Sequence, residues 1–399
     1  MLSLLPVLPS FTSIFTHHAS AVACGSQVLL AAPSGPFEVH LGITELVDYS
    51  RTQPFAPSAQ PRKLMVSLFY PVNSTLGATP VNYMAPETAL FEDVGMSSIY
   101  GLQSPNGTFE KLALQSAGNH PPAYREQGDT PFPVVLFMPA EGTTRLFYST
   151  IAQTIASAGF IVVTVDTPYG VDIAEYLDGS VAFLNATAVD NATVATIDVA
   201  VSVRAQDASF VLDQLGNTTA VAQLIPGSEG GLDVSKVGMF GHSLGGAATA
   251  AAMLNDTRIA GGLNMDGALF GPVVQQGLNR PFMFMAHTGH VRNNNSIPAD
   301  PLNSWFTIWP KLCAFRLDII LGNSLHYTFS DFPIVLQTLG IVPNAAVAQA
   351  LQITDLDGRR ALKIVTTYVT AFMDFVLYNK TSVLLQRPVP EFPEVTFDL

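Results

Sequence analysis

Cysteine is nearly absent. Only Cys24 and Cys313 occur in 399 residues, so at most one disulfide can form and no cysteine-built zinc module or disulfide framework is available. Charge is scarce as well: charged residues make up 12% of the chain, and 18 basic against 31 acidic residues leave a net charge of −13. Such a chain lacks the basic surface that nucleic acid or an anionic membrane would require, although apolar contact with lipid stays open. No H-E-x-x-H or Cys/His ligand spacing occurs, so neither a catalytic metal nor another cofactor is expected. Beyond the first residues no uninterrupted apolar run is long enough to span a bilayer, and no transmembrane segment is expected. The tail Glu391–Leu399 is too polar and short for a lipid-anchor signal.

What is present is a large apolar fraction, 48% of residues, enough to fill the core of one large α/β domain or two smaller ones. The N-terminus is apolar from Leu2 to Phe15 and ends in Ala21-Val22-Ala23, a small-x-small cleavage pattern. It lacks a basic leader and carries Pro6 and Pro9, yet residues 1–23 read best as a secretory signal peptide. Asn73, Asn106, Asn185, Asn191, Asn217, Asn255, Asn294 and Asn379 each begin an N-x-[S/T] sequon. That excess predicts a glycosylated, extracellular protein.

Taken in order, 24–36 reads as a loose leader, and the alternation from Phe37 to Val47 predicts a half-exposed edge strand. Lys63–Pro71 predicts a strand stopped by its proline. The Pro-, Gly-, Ser- and Asn-rich stretch 81–130 has weak periodicity and predicts an insertion with short helices, a candidate lid. A regular alternation then starts. Strands are expected at 133–138, 160–165, 237–242, 259–265, 281–286 and 316–321, and helices at 146–158, 194–215 and 359–378. A second insertion, 172–190, interrupts it. Arg204 and Asp207, three apart on a helix, predict a surface ion pair. The pattern implies one α/β domain over 24–399, with a mostly parallel sheet covered by helices on both faces. Nothing in the sequence sets the oligomeric state.

The chemistry is concentrated in Val237-Gly-Met-Phe-Gly-His-Ser-Leu-Gly-Gly246. An apolar strand, a G-x-S-x-G turn and an Ala-rich helix are what a nucleophile elbow needs, with Ser243 as the nucleophile. A serine hydroxyl attacks only when a base takes its proton, and that imidazole must be oriented by a carboxylate. On such an elbow the acid and then the histidine follow in the chain. Among His287, His290 and His326, the last follows the final parallel strand and is the expected base; His287 and His290 read as pocket-lining or packing residues, with His290 the lesser alternative. His242, at the x of the elbow, reads as packing behind the nucleophile. Asp266 ends the strand after the elbow and is the expected acid, with Asp300 and Asp331 as rivals. Two backbone N–H groups must stabilise the oxyanion. Leu244 supplies one, and Ala140, Glu141 or Gly142 supplies the other, since Pro139 has none. The Glu141 carboxylate should then face away.

Six segments together resemble the platelet-activating-factor acetylhydrolase family of the lipoprotein-associated phospholipase type. They are Pro131–Phe137, Arg145–Ser149, Gly159-Phe-Ile-Val, Gly241–Gly246, Met265-Asp-Gly and His326-Tyr-Thr-Phe-Ser-Asp331. The resemblance spans roughly 37–379 and implies a calcium-independent α/β-hydrolase fold. It implies Ser243, Asp266 and His326 as the triad, and backbone donors from Glu141 and Leu244. It also implies a short acyl group on a phosphocholine lipid, or another small ester, as substrate. The chain departs from the family at Pro139-Ala-Glu-Gly142, where a His-Gly-x-Gly turn is usual. That departure leaves a broad esterase, or a non-catalytic scaffold of this fold used for binding, as alternatives.

Overall fold

The computed structural model describes residues 27–398, except 73–76, 99–100, 103–106, 118–131, 226–227, 229, 291 and 293–303. The expected signal peptide, Cys24, Asp300 and the sequons at Asn73, Asn106 and Asn294 lie outside the described residues.

The strands in chain order are β1 Val28–Leu29, β2 Glu38–Thr52, β3 Pro61–Val72, β4 Ala78–Asn82, β5 Leu112–Ala117, β6 Val134–Met138 and β7 Ile161–Val165. They continue as β8 Ile173–Glu175, β9 Val181–Phe183, β10 Val237–His242, β11 Ile259–Met265, β12 Phe282–His287, β13 Arg316–Leu321 and β14 Val395–Phe397. Nine of them form one sheet in the order β14-β13-β12-β11-β10-β6-β7-β3-β2. From β13 to β7 every neighbouring pair is parallel, while β3, β2 and β14 are antiparallel. This is the α/β-hydrolase arrangement expected from the alternation of apolar strands and helices. The first step of the chain after β6 goes to one side, to β7, whereas β10 lies on its other side. The loops after β6 and β10 therefore part at a topological switch point, where such sheets hold their ligands.

Both faces are dry. Along β6, Val135 and Phe137 join one core with the helices Ser149–Ser157 and Gly358–Tyr378, while Val134, Leu136 and Met138 join the other, beside the helices Val194–Leu215 and Leu244–Asn255. A period of two in a strand does this automatically, which is why the central strands are continuous apolar runs. The helix Gly358–Tyr378 has the length and hydropathy of a membrane span, but just over half of its most apolar window is buried. It packs Ile364, Val365, Tyr368, Val369, Phe372 and Met373 into the first core.

Several local expectations are corrected. Residues 28–29 are not loose: β1 pairs with β5, and Leu30 is buried. Strand β3 runs through Pro71, which lies opposite Val39 of β2 and past Phe69, where the pairing of β3 with β7 ends. The segment 81–130 holds a helix, Pro86–Ser98, as expected, and adds β5, which carries β1 and β4. Its Tyr83, Met84, Ala89 and Phe109 lie in the core. Arg204 and Asp207 are not a surface pair. Both are buried; Arg204 pairs with Glu141, and Asp207 with Arg62 and Arg51. Helical spacing makes them neighbours, but burial demands partners closer in charge and reach, which distant segments supply.

Candidate active site

The elbow is held in a conformation few residues tolerate. Ser243 sits at φ 54°, ψ −121°, between the last residue of β10 and the helix that begins at Leu244. A Cβ on Gly241 would lie 2.2 Å from the Gly245 carbonyl oxygen, and one on Gly245 would lie 2.1 Å from that of Met138. The glycines flanking the serine are thus required by contact. Ser243 donates its N–H to Met265 O at 2.8 Å, tying the turn to the end of β11. Strain of this kind persists only where the surroundings over-determine it, and it marks functional positions.

One residue beyond β11, Asp266 has φ 58° and donates its N–H to Met285 O at 2.9 Å. The Asn264 side chain closes this turn, accepting from Gly267 N–H at 2.8 Å and donating to Gly267 O at 2.6 Å. The indole N–H of Trp305 also donates to Gly267 O, at 2.7 Å. The Asp266 carboxylate is buried and gathers three imidazoles. His326 Nδ1 is 2.5 Å from Oδ2, His287 Nδ1 is 2.7 and 2.8 Å from the two oxygens, and His290 Nδ1 is 3.0 Å from Oδ1. The backbone N–H of His287 adds a fourth donor at 3.1 Å. Burial alone would raise the carboxyl, but the hydrogen bonds from His287, His290 and His326 hold it well below the usual carboxylate range. For His287 burial pulls the imidazole down, and the bond and charge of Asp266 more than reverse this.

His326 opens a short helical turn after β13, and that turn is tightly fastened. Asp331, five residues on, donates its N–H to Phe147 O at 2.7 Å. Its carboxylate accepts from the N–H groups of Thr150 and Ile151, at 2.8 and 3.3 Å, and from the Tyr83 hydroxyl at 3.0 Å. Asp331 is therefore an anchor whose carboxylate takes up N–H groups in the first turn of the helix Ser149–Ser157. The His326 ring lies 4.5 Å from that of His242, tilted to it by 42°, which places it against the residue preceding Ser243. His242 is buried, its Nδ1 is 2.8 Å from the Tyr148 hydroxyl, and burial holds its imidazole well below the ordinary value. It packs behind the serine, as its place in the motif suggests.

In the turn after β6, two of the three candidate N–H groups already have acceptors. Ala140 N–H donates to the Tyr148 hydroxyl at 3.3 Å, and Gly142 N–H to Gly170 O at 2.9 Å. Among the described residues no acceptor takes the Glu141 N–H. The Glu141 carboxylate is drawn off by Arg204, which also donates to Gly170 O at 3.1 Å and Pro139 O at 3.4 Å. Leu244, first in its helix, likewise has an N–H with no intrahelical acceptor. The departure at 139–142 thus comes with its own support in Arg204, which sequence spacing had paired with Asp207.

The sequence placed His287 and His290 near this rim but gave no hint that both turn to Asp266. The one available signal was that β11 and β12 are consecutive in the chain, so that the residues ending them are neighbours. Outside this centre, Asn191, Asn217, Asn255 and Asn379 are exposed and Asn185 is half-buried, its Oδ1 capping a short helix. Cys313 is exposed and has no disulfide partner among the described residues.

The model of the platelet-activating factor acetylhydrolase family, isoform II, matches residues 23–177 and 201–381. A probable 1-alkyl-2-acetylglycerophosphocholine esterase from Arthroderma benhamiae is 33% identical over 397 residues, covering 95% of this chain and 96% of its own. Among solved structures, a ferulic acid esterase from Streptomyces cinnamoneus superposes with a TM-score of 0.76 at 28% identity, over 94% of this chain and 100% of its own. By its motifs, its sheet and these matches, the chain belongs to the platelet-activating factor acetylhydrolase family of isoform II type.

Proposed function

We propose that this chain is a secreted serine esterase that removes a short acyl group, acetyl above all, from the sn-2 position of a phospholipid such as 1-alkyl-2-acetylglycerophosphocholine. As a member of its family it is a carboxylic ester hydrolase. The observation that supports the serine mechanism in this reading is the 2.5 Å bond from His326 to Asp266 with the His326 ring against the elbow, and the acetyl-phospholipid substrate is taken from the name of the 33% identical relative.

In this reading Ser243 Oγ attacks the ester carbonyl as His326 Nε2 takes its proton. Asp266 holds the Nδ1–H and stabilises the imidazolium. The N–H groups of Glu141 and Leu244 receive the oxyanion. His326 then returns the proton to the departing lyso-lipid oxygen, leaving an acyl-serine. Water attacks that ester with His326 again as base, and the carboxylic acid and free Ser243 result. The exposed sequons at Asn191, Asn217, Asn255 and Asn379 support passage through the secretory route.

A second reading, a secreted esterase without lipid preference, is favoured by the likeness to a ferulic acid esterase and by the unusual 139–142 turn. Acetyl and long-chain esters, each with and without a phosphocholine head, separate the two. The lipid reading predicts the highest kcat/KM for the short-chain phosphocholine lipid. Equal values for a head-less acetyl ester would favour the second.

A further inference from the structure

Two buried polar atoms near the Asp266 centre have no partner among the described residues. One is His290 Nε2, and the other is Asp318 Oδ1, on β13. Both residues are more than nine-tenths buried. Asp318 lies opposite Phe284 of β12, whose ring is 4.2 Å from that of Trp305, and His290 stacks on the same indole at 4.1 Å. The two side chains interact electrostatically, and Asp318 Oδ2 is held by Arg292 at 3.2 Å. In the structure His290 points Nδ1 at Asp266 and leaves Nε2 bare.

If a cation took the Nδ1 lone pair, the ring proton would move to Nε2, a tautomer that the nearby charge of Asp318 favours. A carboxylate behind a ligating imidazole is the usual support of such a ligand. The remaining ligands are in place. One atom each from Asp266, His287 and His290 lie within 4.8 Å of one another. Two imidazoles and one carboxylate suit a borderline ion such as Zn²⁺, whereas Mg²⁺ and Ca²⁺ prefer all-oxygen shells. Bonds of about 2.0–2.1 Å in a tetrahedron need ligand atoms about 3.3 Å apart. The two imidazole nitrogens lie 2.7 and 3.0 Å from Asp266 Oδ1 and within 4.8 Å of each other, so the first two spacings must widen by a few tenths of an ångström and the third must settle near the same value.

We propose that Asp266, His287 and His290, backed by Asp318, form a site for Zn²⁺ or a similar divalent transition-metal ion, and that filling it inhibits the esterase. The bound cation engages the carboxylate that His326 needs and opposes a positive charge on that ring. It does not occupy the acyl position. The inhibitory half rests on the proposed triad, whereas the binding half does not.

Chelator-treated protein is titrated with ZnCl₂ by calorimetry, and with CoCl₂ while visible ligand-field absorption is followed. Wild type and Ser243→Ala should both bind one equivalent, so the binding result stands or falls independently of turnover. In wild type, Zn²⁺ should lower kcat for p-nitrophenyl acetate at least about tenfold with little change in KM, and EDTA should restore it. Asp318→Asn should weaken Zn²⁺ affinity by about 10–100-fold, and His290→Gln should abolish binding in protein whose melting curve shows it folded. No binding, or affinity indifferent to both substitutions, overturns the site; binding without loss of kcat overturns the inhibition.

Discussion

Asp266 and Glu92 are both buried carboxyls, yet they are displaced in opposite directions. Around Asp266 four N–H donors converge, and the acid is held charged despite its burial. Glu92, on the helix Pro86–Ser98, is burdened by burial and then by its hydrogen-bonded neighbour Asp172, with no cation to offset either. Its Oε1 has no partner among the described residues. This pair keeps a proton well above the usual carboxylate range. Burial is common to the two regions, so the difference lies in the supply of donors. The site rim has a charged acid ready to orient an imidazole, and the pair under the inserted helix has a shared proton that fastens helix to body.

Removing the acceptor at the first region should have the largest effect. Asp266→Asn keeps the shape but offers its three imidazoles an amide, and kcat for p-nitrophenyl acetate should fall by about 10⁴-fold. A loss below about tenfold would mean the three-imidazole arrangement is structural.

A third buried carboxylate, Asp207, is supplied by two guanidiniums. Asp207→Ala leaves Arg62 buried and unpaired, which should cost about 3–5 kcal/mol in urea unfolding. A cost near zero would show that the donors of Arg62 find other acceptors, such as Gln53 Oε1 and Pro168 O.

The smallest effect concerns the proton-sharing pair, and its sign follows from linkage. The folded pair binds more protons than the unfolded chain once pH exceeds about 4, so its contribution to stability falls as pH rises through the elevated folded values. Glu92→Gln removes one charge and retains a hydrogen-bonding amide. It should stabilise the protein by about 1–3 kcal/mol at pH 8 and change little at pH 4. Parallel Tm-against-pH curves for the variant and wild type would contradict the shared proton.

The sequence was most legible where local pattern and tertiary role coincide. Short β-branched apolar runs bounded by turn residues, such as Val134–Met138, fit strands buried on both faces, and Gly241-His-Ser-Leu-Gly245 fits a tight turn because an apolar strand precedes it and an Ala-rich helix follows. Short strands without a run of their own, β1, β4, β5 and β14, escaped because they are defined by partners far away in the chain. Arg204 escaped for the same reason. Its spacing to Asp207 is a helical property, whereas its ion pair with Glu141 depends on where the loop after β6 passes. His287 and His290 needed the adjacency of β11 and β12 and also the turn by which His290 N–H donates to His287 O at 3.0 Å. No local residue pattern encodes that return.

The account stands on Ser243 being an activated nucleophile, and a fluorophosphonate probe reads this directly. Native protein should be labelled once, on the peptide containing Ser243, and Ser243→Ala and His326→Ala should lose the label. A native protein left unlabelled, or a label that persists in Ser243→Ala, would contradict it.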